Sequence, residues 1–296
     1  MSSATETVRP VDDRAGGSVT AKVFFERYGT LLLIAPAVLF ICLVFMVPLG
    51  RMAWLSVSSP SLSFDNYVAL FNSPLYFRSL LRTFGISLVV TVTCIVLAYP
   101  LAYYAATRSN WWSKGLLVVA ALSFWISFIV RTYAWLVILG NRGPVVGLFQ
   151  ALGFDPAPRV LFTTTATVIG LVHILLPYMV LALYSVLVKI DANLDRAALS
   201  MGATPARSFR HVTFPLSLPG LVNGSVLVFI ICLGFYVTPT LLGSPRDMMV
   251  AGLIATEVQE LMAWGLASAL AMLLVVITLT LMLIYDRLIG LDRLWG

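Results

Sequence analysis

The chain alternates long apolar runs with short polar interruptions, and a run long enough to cross a bilayer recurs six times. The runs cover 29–49, 84–106, 116–139, 165–188, 221–242 and 261–285. About 20 apolar residues in helical form cross the ~30 Å hydrocarbon core. Unpaired backbone groups are costly there, so each run predicts one transmembrane helix. The pattern therefore predicts an all-α membrane protein of six transmembrane helices with both termini on one side.

The interruptions differ in character. Residues 1–28 are polar, mixed in charge and rich in Ser, Thr and Gly, which predicts a flexible tail. The first run lies too far from the N-terminus for a signal peptide and lacks a small-residue cleavage site, so it reads as a retained helix. A basic loop with Arg108 and Lys114 follows the second run. A longer polar island, 195–220, reading DRAALSMGATPARSFRHVTFPLSLPG, follows the fourth. The loops 50–82, 140–162 and 243–260 hold Tyr, Phe, Pro and Asn with few charges, and 291–296 forms a short C-terminal tail.

Composition supports the pattern. Of 296 residues 60% are hydrophobic and 11% charged, against roughly 25% charged in a soluble domain. The net charge of +6 comes from Lys and Arg scattered at segment ends, which argues against a nucleic-acid partner and for orientation in a membrane. Twelve basic residues lie on the side of the termini: Arg9, Arg14, Lys22, Arg27, Arg108, Lys114, Lys189, Arg196, Arg207, Arg210, Arg287 and Arg293. Six lie opposite: Arg51, Arg78, Arg82, Arg142, Arg159 and Arg246. The excess predicts cytoplasmic termini and a cytoplasmic island.

Several residues inside the runs carry polar chemistry. Arg131 either lines a cavity or lifts its guanidinium to the outer interface, because a charge at membrane depth is costly. Trp125, Tyr133 and Trp135 surround it in sequence, as an aromatic lining of a pathway or as an interfacial belt. His173 reads as an interhelical hydrogen-bonding residue. Tyr236 and Thr238 bring polar groups to the outer end of the fifth run, where they could touch a solute. Gly220 and Gly224 form a GxxxG pair that predicts close helix packing. Cys42, Cys94 and Cys232 lie inside apolar runs, without metal-ligand spacing, and read as packing residues.

No catalytic constellation is present. The chain has no Walker A sequence, no GxSxG and no HExxH. Uphill transport would need energy from another subunit. The island suits such a link: Ala197, Ala198, Gly202 and Ala203 are small residues at helical spacing, Thr204 and Pro205 signal a turn, and a second helix is predicted from Ala206. Phe209, Val212 and Phe214 are candidate apolar anchors with Arg207 and Arg210 at the rim. Such a patch suits a protein partner or the membrane surface.

The island resembles the EAA loop of the inner-membrane permease subunits of bacterial ABC importers, whose pattern is Glu-Ala-Ala, three residues, Gly, nine residues, Ile, one residue, Leu-Pro. Ala197, Ala198, Gly202 and Pro215 match in spacing, Val212 stands for Ile and Phe214 for Leu. Arg196 stands where the family has Glu, with Asp195 one residue earlier. LYFRSLLRTFGISLVVTVTCIVLAYPLAYYAA looks like the start of the family's transport domain. SFWISFIVRTYAW and ATVIGLVHILLPYMVLALYSVLVKID look like its spermidine/putrescine branch.

The resemblance implies a type I (MetI-like) transmembrane domain over 29–290, with a core transport region of about 78–288 and a cytoplasmic coupling loop over 189–220. It implies an inner-membrane permease subunit that binds no cofactor, ATP and Mg being used by a partner ATPase dimer. A second homologous permease, a periplasmic solute-binding protein and membrane lipid complete the expected partners. The coupling residues carried over are Arg196, Ala197, Ala198, Gly202, Ala203, Thr204, Pro205, Arg207, Phe209, Val212 and Pro215. Polyamine is the substrate that the branch implies. Asp65, Asp155, Asp247, Glu257 and Glu260 in the outer loops either attract a cation or are simply solvated. The alternative is a stand-alone secondary transporter, which predicts intramembrane acids and internal repeats.

Overall fold

Helix follows helix with short connections throughout residues 16–59 and 61–289, which the computed structural model describes. Residues 1–15 of the expected N-terminal tail and the whole expected C-terminal tail, 291–296, lie outside these residues. The chain divides into two units, Met1–Trp54 and Leu55–Gly296. The first holds most of α1 (Gly16–Ser58), which contains Pro36 and Pro48. α1 begins at Gly16, inside the stretch 1–28 that the sequence pattern reads as a tail. Its apolar span, Leu33–Ser58, exposes Leu33, Leu39 and Phe45 on three different faces. A helix that is apolar all round and unpacked in its own unit belongs in lipid.

The second unit runs through α2 (Asp65–Asn72), α3 (Pro74–Thr107), α4 (Trp111–Leu122), α5 (Phe128–Ile138), α6 (Pro144–Ala151) and α7 (Thr164–Leu187). It continues with α8 (Ala192–Ser200), α9 (Pro205–Ser208), a π-helical turn at Phe209–Thr213 and α10 (Phe214–Leu233). Last come α11 (Val237–Leu242), a 3₁₀ turn at Pro245–Asp247, α12 (Val250–Gln259) and α13 (Trp264–Ile289).

Three helices build the core, and each contributes one stripe. Val90, Cys94, Ala98 and Ala102 on α3 are fully buried, as are Leu171, Leu175, Met179 and Leu183 on α7 and Val228 and Cys232 on α10. Positions four apart fall on one helix face, so each stripe is a continuous ridge. Small residues on α3 and α10 against large ones on α7 let the backbones approach closely, the usual solution where water supplies no drive for helices to associate. Cys94 and Cys232 are packing residues, as their apolar setting implies. The GxxxG pair does the same work: a Cβ on Gly220 would stand 2.9 Å from Val186 Cβ, and one on Gly224 2.7 Å from Met179 Sδ.

Among the described residues five helices are long and apolar enough to cross a membrane, where six continuous spans were expected. The run 116–139 does not form one helix. It breaks at 123–127 into α4 and α5, with Ser123 Oγ donating to Val119 O at 3.0 Å and Ser127 leading into α5. Serine hydroxyls offer the backbone an alternative to the helical ladder. Phe124 leaves the helix line to stack edge-on against Tyr178 of α7 at 4.7 Å. The run 221–242 is likewise displaced: its helix extends back to Pro205 and stops at Leu233, and 234–236 separates it from α11.

Candidate functional site

The loop between α7 and α10 is a folded hairpin whose geometry follows from a few residues. Asp191 caps α8, its Oδ1 accepting from Asn193 N at 2.9 Å. At the other end Gly202 N–H reaches Leu199 O and Ala203 N–H reaches Ala198 O, both at 3.0 Å. This is a Schellman stop, and it needs a left-handed residue after the cap. Gly202 supplies it at φ +86°, with nothing within 4 Å of where a Cβ would stand. The requirement for glycine is thus conformational, not one of space.

The reversal leads into α9, with Thr204 Oγ1 accepting from Arg207 N and Pro205 in the first turn. The second helix therefore starts at Pro205, one residue before the predicted start. It is no free-standing limb: α9, the π turn and α10 run on as a single span from Pro205 to Leu233. The π turn answers a local problem. Pro215 has no N–H and its ring crowds the carbonyl four residues back, and the turn before it is widened, with Phe214 N–H bonding Phe209 O.

One carboxylate ties the hairpin together. Asp195 Oδ1 accepts from Ser208 Oγ at 2.6 Å and from Thr213 Oγ1 at 3.0 Å, while its Oδ2 lies 3.1 Å from the same threonine oxygen. Both hydroxyl residues are buried. Arg196, one position further round α8, is exposed, as are Arg207 and Arg210. Ala198 is buried and Ala197 is not, so the Ala pair turns one methyl inward.

Phe209, expected as an outward anchor, is turned in. Its ring packs edge-on against Tyr99 and Tyr103 of α3, with centroids 5.8 and 5.4 Å away, and also meets Phe214. Val212 is half-buried. At its turn the hairpin presents Leu199 and Met201, 45% and 83% exposed, while Leu194 on α8 and the expected anchor Phe214 at the base are exposed as well. Sequence reasoning passed over Leu199 and Met201; their place beside a glycine turn was the available signal.

The expected pathway residues form no single lining. Arg131 and Trp135 are four apart on α5 and share a face, whereas Tyr133, two positions from each, points to the opposite side and is exposed. Trp135 Nε1 donates to His173 Nδ1 on α7 at 3.0 Å. While the ring is neutral its proton therefore sits on Nε2. His173 is thus an interhelical hydrogen-bonding residue, as its position predicts. Arg131 Nε is enclosed with no hydrogen-bond partner among the described residues. Thr238 is fully buried and shares a hydrogen bond of 2.9 Å with Thr132 of α5, so it pins α11 to α5 and has no exposed surface. Tyr236 and Trp125 are exposed, the latter in the α4–α5 break.

The outer acids are not equivalent. Glu257 on α12 is buried and accepts from Tyr76 Oη on α3 at 2.7 Å, which removes it from any role in attracting solute. Asp247 bonds Ser244 Oγ at 2.7 Å and Thr164 Oγ1 at 2.8 Å, fastening the start of α7 to the 3₁₀ turn. Among the described residues no cluster of His, Cys, Asp and Glu is arranged to hold a metal.

A helical bundle with broken spans, and a tethered helical hairpin leading into one of them, defines a membrane transport subunit. The chain belongs to the family of binding-protein-dependent transport system inner membrane components, whose pattern it matches over residues 98–290. Among relatives, the spermidine/putrescine transport system permease protein PotB of Escherichia coli is 32% identical over 224 residues, covering 75% of this chain and 81% of that protein. PotB of Haemophilus influenzae is 32% identical over 265 residues, 86% of this chain and 92% of its own. In fold the chain resembles a bacterial ABC transporter that imports the acidic polysaccharide alginate, with a TM-score of 0.73 at 16% identity over 91% of this chain and 98% of that one. The MetNI methionine ABC transporter in an inward-facing form gives 0.53 at 18% identity, over 72% and 94%. The chain is an ABC importer permease of MetI-like fold.

Proposed function

We propose that the protein forms half of the transmembrane pathway of a polyamine importer in the bacterial inner membrane. A second, homologous permease supplies the other half. The domain plan is a tail over 1–28, a permease domain over 29–290 with its core transport region at 78–288, and a tail over 291–296, with both termini in the cytoplasm. The loop 189–220 docks on a dimeric cytoplasmic ATPase that uses ATP and Mg, and a periplasmic binding protein delivers the solute.

The observation that carries this reading is the hairpin of α8 and α9. It is fixed at its turn by Gly202, across its middle by Asp195, and at its base by Phe209 against α3. Because α9 continues into α10, a push on the hairpin acts directly on a membrane span. Closure of an ATPase dimer would move the hairpin as a rigid body, and the bundle would rock between outward- and inward-facing states. Permeases of the PotB type serve spermidine and putrescine by name, and this supports polyamine as the substrate class.

Reconstitution tests the proposal. Proteoliposomes holding this chain, its companion permease and the ATPase should take up labelled spermidine only with ATP inside and the binding protein outside. Uptake by this chain alone, driven by an ion gradient, would instead establish a secondary carrier.

A further inference from the structure

The charged side chains of the loop are sorted by sign. Both acids are used within the hairpin: Asp191 caps α8, and Asp195 holds Ser208 and Thr213. The four cations Lys189, Arg196, Arg207 and Arg210 are all exposed. Leu199 and Met201 lie among them, exposed at the end of α8. The hairpin therefore offers apolar knobs within a rim where four exposed cations outnumber the one exposed acid, Asp191. The acid that the EAA pattern places at 196 has in effect moved to 195 and turned inward, leaving Arg196 at the surface.

Such a face could meet an anionic lipid surface or a protein. The aromatic placement favours a protein. An interfacial loop buries its rings in the headgroup region, but Phe209 is spent on Tyr99 and Tyr103 and half withdrawn from solvent. Phe214 stays exposed only at the base of the hairpin, and what stands outward at its turn is a long thioether and a leucine, side chains that fill a pocket, with arginines placed to form charge-assisted bonds around it.

We propose that the hairpin docks in a cleft whose floor is apolar, receiving Leu199 and Met201, and whose rim carries Asp and Glu facing Arg196, Arg207 and Arg210. This rests on the reading that the loop docks on a cytoplasmic ATPase. It adds the chemistry of that cleft and a basis for partner choice. An ATPase whose cleft carries a cation opposite position 196 meets like charge and is rejected, whereas one carrying an acid is accepted. Rim charges of this kind act mainly on association rate and specificity, and apolar anchors mainly on residence time.

The test measures binding of the intact permease pair, in nanodiscs of neutral lipid, to its ATPase over a range of salt. The wild type should bind, with affinity falling as salt rises. Changing Arg196, Arg207 and Arg210 together to Gln should weaken binding about tenfold at low salt and flatten the salt dependence. Changing Leu199 and Met201 together to Ala should weaken it while leaving the salt dependence intact. An Arg196→Glu protein should recover affinity when a rim acid of the ATPase is changed to Lys.

Three results would overturn the proposal. Binding that is indifferent to salt and to the Gln changes would remove the acidic rim while leaving docking in place. If the triple Gln change instead abolished binding to vesicles of anionic lipid while leaving ATPase binding unchanged, the basic face would belong to the membrane. No binding of the wild type to the ATPase at any salt would remove the docking reading itself.

Discussion

Asp195 shows how much one side chain can decide. Its carboxylate gathers hydroxyls from positions 13 and 18 residues further on, and both come from buried residues. Without it Ser208 and Thr213 lose the acceptor that joins α8 to the start of the span. Leaving buried donors unpaired costs about 1–3 kcal/mol. Asp195→Ala should therefore loosen the hairpin locally, seen as faster tryptic cleavage after Arg196 and Arg207 in the purified protein. Asp195→Asn keeps the Oδ1 acceptor and should be cleaved at a rate nearer the wild type. Equal cleavage of all three proteins would show that the tether is not limiting. The spacing of Ala197, Ala198 and Gly202 was legible in the sequence because a Schellman stop is local and needs glycine. The inward turn of Asp195 was not, since it depends on partners that only the folded hairpin brings close. Phe209 was misjudged for the same reason: its destination is a pair of tyrosines on α3, over a hundred positions earlier.

At the scale of elements, the α7–α10 seam is held close by its glycines. Gly220 and Gly224 leave room for Val186, Ala182 and Met179, and the obstructing atoms at Gly220 are a Cβ and a backbone oxygen, which cannot swing aside. Gly220→Val should lower the thermal midpoint in detergent, by a shift corresponding to about 1–3 kcal/mol of overpacking. Gly85→Ala on α3, where nothing lies within 4 Å, serves as the control and should match or slightly exceed the wild type. If the two variants melt together, the seam is looser than the geometry implies. The long helices α3, α7 and α13 were legible because uninterrupted apolar length is a strong signal. The breaks at 123–127 and 234–236 were not. Hydropathy stays high across both, and what interrupts them is packing: Phe124 on Tyr178, Phe128 on Phe235, Thr132 on Thr238. A periodicity argument has no access to such contacts.

For the molecule as a whole, the disposition of charge and the direction of the hairpin must agree, because a coupling loop works only on the side where ATP is hydrolysed. Arg196, Arg207 and Arg210 stand around the N-terminal end of the span Pro205–Leu233, and the α12 region with Glu260 follows its C-terminal end. The natural cysteines make this easy to examine. Cys94 and Cys232 are buried, and Cys42 lies in the apolar span of α1, so a membrane-impermeant maleimide should find little to label in the native protein. Ser200 and Glu260 are both exposed, and Glu260 caps the end of α12 through its backbone N–H, which a cysteine keeps. Glu260→Cys should label in intact spheroplasts, and Ser200→Cys only after the membrane is permeabilised, as the excess of basic residues on the hairpin side requires. The reverse pattern would place the hairpin outside the cell, where no ATPase could reach it, and the coupling role would fall with it.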